Sequence, residues 1–187
     1  MISQTDRIRS QLLLLRYRRG ETEAFEELVH IWEKPLYYYI RRIVGSEEDA
    51  WDVSQNVWLQ VVRKNKQLRD PEKLPGWLYQ VSRNQALNHL RSKHGEEISL
   101  DRLDCLPEGT TESGFNFSVA EADTIHWGLD QLPLNQREVL TLHFLEEFSL
   151  KEIGEITGVP DGTVKSRLFH AKRALREILQ QEGLGHE

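Results

Sequence analysis

The sequence predicts an all-α protein, two small helical domains joined by an acidic, flexible linker. Apolar residues recur at helical spacing along most of the 187 residues, with Pro and Gly at the ends of the periodic stretches. No stretch alternates at period two for long enough to build a sheet. A break in composition divides the chain: residues 95–123 collect Gly95, Pro107, Gly109, Thr110, Thr111, Ser113 and Gly114 with eight acids and no sustained periodicity, as a linker does. This leaves domains at 1–94 and 124–187, each long enough to bury a core. The expected helices run roughly over 6–18, 22–44, 47–65, 75–93, 121–131, 135–147, 150–157 and 161–181.

The first helix lies in MISQTDRIRSQLLLLRYRRG, whose apolar patch is only four leucines between arginines, an amphipathic helix rather than a secretory signal. Nowhere do about 18 apolar residues run together, which excludes a transmembrane helix and direct membrane insertion. The lone Cys105 excludes an internal disulfide framework and a cysteine-based zinc site, and it fits a reducing cytoplasm. No cofactor is expected. The net charge of -6 argues, taken alone, against DNA as a partner. It hides a segregation, because formal charge sums to +2 over 1–24, -4 over 25–62, +6 over 63–94, -7 over 95–124 and -3 over 125–187. Within the last segment, Gly162 to Arg176 hold five Lys or Arg and no acid. Two compact basic patches are thus separated by an acidic stretch, and partner choice follows the local field. On charge alone, a solvated face is the plainer reading of either patch.

In SEEDAWDVSQNVWLQVVRK the third helix turns Ala50, Val53, Val57 and Val61 to the core. Its other side carries Asp52, Gln55, Asn56 and Arg63 with Leu59 among them. An apolar side chain ringed by polar ones suits a protein–protein contact, although a single exposed leucine is also ordinary surface. Glu48, Asp49 and Asp52 invite a metal, but no His or second acidic pair on a facing helix supports one. The basic loop KNKQLRDPEK, with Lys66 and Arg69, leads into the fourth helix, LPGWLYQVSRNQALNHLRSK. There Leu78, Ser82, Ala86 and Leu90 form the core side, opposite Trp77, Gln80, Val81, Asn84, Asn88 and Arg91. An aromatic among amides on an exposed basic face is equipment for stacking unpaired bases and holding phosphates. The competing reading makes Trp77 a core residue docked on the next helix.

Beyond the linker, SLKEIGEITGVPDGTVKSRLFHAKRAL reads as a helix-turn-helix. Ser149 and Glu152 have capping-box spacing, Ile153 and Ile156 face inward, and Gly154 leaves no side chain where a second helix must cross. Gly158 makes the turn, and Pro160 with Asp161 as N-cap opens the last helix. At about 100° per residue, Val164, Leu168, Ala171, Leu175 and Ile178 form its core stripe. Thr163, Ser166, Phe169, His170 and Arg173 lie opposite, with Lys165, Lys172 and Arg176 on one flank and Arg167 on the other. Short hydrogen-bonding side chains between basic flanks are what a helix in a major groove requires.

In this order the motifs resemble a bacterial RNA polymerase sigma factor of the extracytoplasmic-function (ECF) subfamily of the sigma-70 family, the compact kind with only a region 2 helical bundle and a region 4 helix-turn-helix. The likeness runs roughly from Phe25 to Leu179. DAWDVSQNVWLQV looks like the family's core-polymerase-binding helix, GWLYQVSRNQALNHLR like its promoter-melting and -10-reading helix, and LPLNQREVLTLHFLEEFSLKEIGEITGVPDGTVKSRL like its -35-reading domain. The resemblance implies that Asp52, Gln55, Asn56 and Leu59 bind core RNA polymerase, the first two on its clamp helices. It implies that Lys66, Arg69, Trp77, Arg83, Asn84, Asn88 and Arg91 serve the melted -10 element, where the loop captures a flipped base. It implies that Thr163, Lys165, Ser166, Arg167, His170 and Arg173 meet the -35 duplex, and that the acidic linker runs through the RNA-exit region. Members are often held inactive by an anti-sigma factor. Asn56 departs from the family's usual Glu, His170 from a common Arg, and Gly154 from the more usual Ala, the last at up to about 1 kcal/mol of helix stability.

The expected function is therefore a cytoplasmic transcription initiation factor rather than an enzyme. A stand-alone helix-turn-helix regulator, with residues 1–94 as a sensor or dimerisation domain, would instead bind an operator without polymerase. A DNA recombinase would need Glu48, Asp49 and Asp52 to bind a metal, and no nucleophile constellation supports it.

Overall fold

The structure is a computed structural model and describes residues 2–94 and 122–181. These residues are helices and short connections, with no strand among them. The chain divides into two compact units, the helices up to residue 94 forming the body of one and those from residue 122 on the body of the other. The linker expected over 95–123 lies outside the described residues except for its last two, which already belong to a helix.

The first unit contains α1 (Gln4–Arg18), α2 (Thr22–Val44), α3 (Glu47–Lys64) and α4 (Leu74–His94). Local chemistry sets the boundaries. Ser3 Oγ accepts from the Asp6 amide at 3.1 Å to start α1, and Ser46 Oγ accepts from the Asp49 amide at 3.2 Å to start α3. Gly45 ends α2 with φ of 82°, the left-handed conformation of a helix C-cap. Between α3 and α4 the chain makes two short 3₁₀ turns, Asn65–Gln67 and Pro71–Lys73, the second capped by Asp70 Oδ1 on the Glu72 amide at 3.0 Å.

The second helix is central and packs on the other three. Its Trp32, Leu36, Tyr39 and Ile40 are buried with Leu13 and Leu14 of α1 and with all eight residues expected to face inward from α3 and α4, Ser82 included. Burial of each large aliphatic side chain contributes about 1.5–3 kcal/mol. Tyr79 meets Trp32 and Tyr39 edge-on, with ring centroids 6.3 and 5.0 Å apart. The buried indole of Trp32 donates to Ser10 Oγ at 2.8 Å, and that hydroxyl donates to the Asp6 carbonyl at 2.6 Å, so a polar group far from water keeps its partner.

The helices from residue 122 on are α5 (Ala122–Asp130), α6 (Leu134–Leu140), α7 (Leu150–Thr157) and α8 (Asp161–Gln181). Both α5 and α6 pack on α8. At Gly128 the approach is close: a Cβ there would lie 2.8 Å from Leu175 Cδ1 and 3.1 Å from Leu179 Cδ2. The helix expected over 135–147 is α-helical only to Leu140 and continues as a π-helical turn, Thr141–Leu145, closed by the Glu146 amide on the Thr141 carbonyl at 3.2 Å. Glu147 then takes a positive φ of 59° and delivers Phe148 into the core.

Candidate functional site

The outward face of α3 exposes Asp52, Gln55, Asn56 and Leu59, the last at 53%. The structure adds Trp51 at 52% and Val62 at 42%. The Trp51 ring lies 4.9 Å from that of Tyr37 on α2, so it is propped outward. Three large apolar side chains among amides and a carboxylate make a broader patch than one leucine, with the apolar centre and polar rim of a protein-binding surface.

The loop after α3 presents Lys66 and Arg69 to solvent while Asn65 and Leu68 are buried beneath them. On α4, Asn84, Asn88 and Arg91 are exposed, and Arg91 Nη1 lies 3.4 Å from Asn88 Oδ1. Arg83 is half-buried. Trp77 corrects the expectation of an open aromatic: it is half-buried. A polar groove between α3 and α4 is lined by Val53, Asn56, Gln85, Asn88, His89 and Ser92. It brings together Asn56 and Asn88, expected to serve different partners.

Beside this groove, sharing His89 with it, lies an ion cluster between α3 and α4. Asp49, a candidate metal ligand on sequence, is nearly buried at the start of α3 and accepts from Lys93 Nζ at 2.7 and 3.0 Å and from His89 Nε2 at 2.9 Å. His89 and Lys93 sit four residues apart on one face of α4, so one carboxylate ties the start of α3 to the end of α4. Hydrogen bonding from Lys93, then from His89, outweighs desolvation and lowers the Asp49 carboxyl to about 2.

In the second unit the expected capping box is present. Ser149 Oγ accepts from the Glu152 amide at 3.3 Å, and Glu152 Oε2 accepts from the Ser149 amide at 2.9 Å. The turn closes with the Val159 amide on the Gly154 carbonyl at 3.2 Å and Gly158 at φ of 75°. A Cβ on Gly154 would lie 2.9 Å from the Val159 carbonyl oxygen, which explains the glycine. The last helix begins at Asp161 itself, its first bond running from the Val164 amide to the Pro160 carbonyl at 3.1 Å. Asp161 is therefore a first-turn carboxylate and Pro160 occupies the cap position, one residue earlier than expected.

On α8, Val164, Leu168, Ala171 and Leu175 are buried as expected, whereas Ile178 is half-buried. Lys165 is exposed, Arg173 is exposed and paired with Glu177 at 2.9 Å, and Thr163, Ser166 and His170 are half-buried. The Lys172 ammonium stands 5.1 Å from the centre of the Phe144 ring. Arg167 requires a correction: expected on a DNA-facing flank, it is buried, with 5% exposure. At about 100° per residue it falls roughly 40° from Ala171 and 20° from Ile178, just beyond the edge of the core stripe.

Comparison with known proteins agrees with the geometry. A Sigma-70 region 2 family model matches residues 28–96, and a Sigma-70, region 4 model matches residues 128–175. The chain is 27% identical over 173 residues to the ECF RNA polymerase sigma factor SigW of Bacillus subtilis, covering 87% of this chain and 92% of that protein. It is 30% identical over 182 residues to the RNA polymerase sigma-H factor of Pseudomonas aeruginosa, covering 91% and 93%. The solved structure of the sigma factor RpoE in complex with the anti-sigma factor NepR, from Bartonella quintana, has the same fold, with a TM-score of 0.66 at 22% identity over 83% of this chain and 96% of that one. CnrH, solved with the cytosolic domain of CnrY, gives 0.67 at 20% identity over 92% and 98%. With both regions present in order and relatives aligned along nearly their whole length, this chain belongs to the extracytoplasmic-function subfamily of sigma-70 RNA polymerase sigma factors.

Proposed function

We infer that this chain is a transcription initiation factor that binds core RNA polymerase in the cytoplasm and directs it to promoters with a -35 and a -10 element, helping to melt the latter. The observation that carries the reading is the presence, in one chain, of a region 2 helical unit and a region 4 helix-turn-helix. A regulator acting without polymerase would have no use for the first in this form.

In this reading Asp52, Gln55, Asn56 and Leu59, joined by Trp51 and Val62, meet the polymerase, and their mixed apolar and polar exposure supports it. Lys66, Arg69, Asn84, Asn88 and Arg91 serve the opened -10 strand, with Trp77 and Arg83 behind them. Thr163, Lys165, Ser166, His170 and Arg173 face the -35 duplex, and Arg167 shapes the helix that carries them. The division into 1–94, 95–123 and 124–187 follows the same scheme. Both structural neighbours named above were solved with bound proteins, one of them an anti-sigma factor. A regulatory protein of that kind is a partner of this chain too, with the apolar face of α3 as a surface to cover.

Transcription in vitro with purified core polymerase on a library of random promoters tests the reading and returns the recognised elements. Transcripts that depend on this chain and share two spaced elements are expected. Tight binding to duplex DNA without polymerase, and no transcript with it, would favour the regulator.

A further inference from the structure

The first helix carries a residue aimed at the promoter-facing loop. Arg18, in the last turn of α1, donates from Nη2 to the backbone carbonyl of Asn65 and, at 2.7 Å, to that of Leu68. These two carbonyls converge because the chain turns there: the Leu68 amide bonds the Asn65 carbonyl at 3.3 Å, and Asn65 Nδ2 bonds the Val62 carbonyl at 2.7 Å. The guanidinium thus sits at the C-terminal end of α3, where carbonyls lack helical partners and a cation is favoured. Its own position is well determined. Leu13 and Leu14 are buried, and Tyr17, next to Arg18, stacks on Phe25 at 4.8 Å, which in turn meets Trp58 of α3 edge-on at 5.9 Å. The turn held in this way presents Lys66, with Arg69 immediately after it, both exposed.

We propose that Arg18 is a positioning residue: it fixes the 65–68 turn in the shape that offers Lys66 and Arg69 to the -10 strand. The proposal rests on the promoter-facing reading of this loop. Without the two bonds the turn is ordered only when DNA binds, and that ordering is then subtracted from affinity.

The test uses the full chain bound to core polymerase. Arg18→Met keeps the apolar stem and removes the donors. It should speed amide hydrogen exchange over residues 65–70 by roughly tenfold and slow promoter opening, read by a fluorescent base in the -10 element, by roughly tenfold, the net effect of one charge-assisted hydrogen bond. Affinity for core polymerase should stay within about twofold. Arg18→Lys should restore most of both readouts, since one ammonium can reach two converging carbonyls. Arg18 Nε is buried without an acceptor among the described residues, so lysine gives up nothing there. Unchanged exchange over 65–70 in Arg18→Met overturns the proposal, as does a defect that lysine fails to relieve or one shared equally by polymerase binding. Lys66→Ala with Arg69→Ala separates the two layers. If that pair opens promoters normally while Arg18→Met still loosens the turn, Arg18 holds the loop but its link to the promoter is refuted.

Discussion

Replacing Gly154 with alanine sets two effects of opposite sign against each other. In the interior of α7 alanine gains up to about 1 kcal/mol of helix propensity. Against this stands the turn: the new Cβ would lie 2.9 Å from the Val159 carbonyl oxygen and 3.0 Å from Asp161 Oδ1. Asp161 can rotate away. The carbonyl is main chain, in a turn closed by the Val159 amide bond to Gly154, so relief requires the backbone between α7 and α8 to retreat by several tenths of an ångström. Overpacking of this kind costs about 1–3 kcal/mol, which exceeds the propensity gain and leaves a net loss of about 1 kcal/mol. Amide hydrogen exchange across α7 and α8 measures it, with α1 to α4 as internal control: protected amides should exchange roughly fivefold faster in Gly154→Ala. Because the same retreat moves the start of α8, -35-dependent transcription should fall as well. Unchanged or slower exchange would show that the turn opens at little cost, and the steric reasoning would be wrong.

Four further outcomes are expected. Asp52→Ala with Gln55→Ala should weaken binding to core polymerase in a pull-down while far-ultraviolet circular dichroism stays the same, and equal capture would remove these residues from the contact. Lys165→Ala should lower the salt slope of -35 duplex binding by the holoenzyme by about one, as loss of one phosphate contact does; Arg167→Ala, at a buried position, should instead destabilise the second unit by about 1–3 kcal/mol, seen as faster exchange in α8. The Asp49 carboxyl is lowered from 3.8 to about 2, so its interactions contribute stability that is present above the unfolded value and is lost as pH falls through the folded one. The difference in urea midpoint between the native chain and Asp49→Asn should accordingly shrink between about pH 5 and pH 2, and a difference constant over that range would contradict the assignment.

Helix positions and inward faces were legible because they follow from periodicity and local chemistry. The core residues of α3 and α4, the Ser149 capping box and the Gly154–Gly158 turn each depend on neighbours within a few positions, so a helical wheel suffices. The wheel also held a signal for Trp51, about 100° from Ala50 and outside the core stripe. Arg167 failed for the opposite reason: on formal charge it belonged with the basic flank, whereas its angle put it beside Ala171 and Ile178, and geometry prevailed over charge. The Asp49 cluster and Arg18 were out of reach. Each joins residues 40 or more apart through the mutual packing of helices, and nothing in a local window reports which carboxylate a distant His and Lys will find. The π-helical turn after Leu140 was hidden too, because Thr141 to Leu145 continue the apolar pattern of α6 and differ from it only in hydrogen-bond register.

The Asp49 cluster has a consequence for how the two surfaces of the first unit work together. Polymerase, in the proposed reading, approaches the outer face of α3, and the -10 strand approaches α4 and the loop between them. If α3 and α4 moved independently, docking on one would say little about the orientation of the other, and the promoter strand would have to supply the ordering from its own binding free energy. The two helices are instead tied at the start of α3, where Asp49 meets His89 and Lys93 of α4, while Arg18 of α1 holds the Asn65–Leu68 turn at its end. Between these ties Val53, Val57 and Val61 pack with Leu78, Ala86 and Leu90 in one buried core. In that reading, a polymerase that grips α3 would set α4 and its amides in a defined position before any base is unstacked. The net negative charge of the free chain is consistent with this proposed order of events, in which the basic loop and α4 would become a site for DNA only where the polymerase holds them against it.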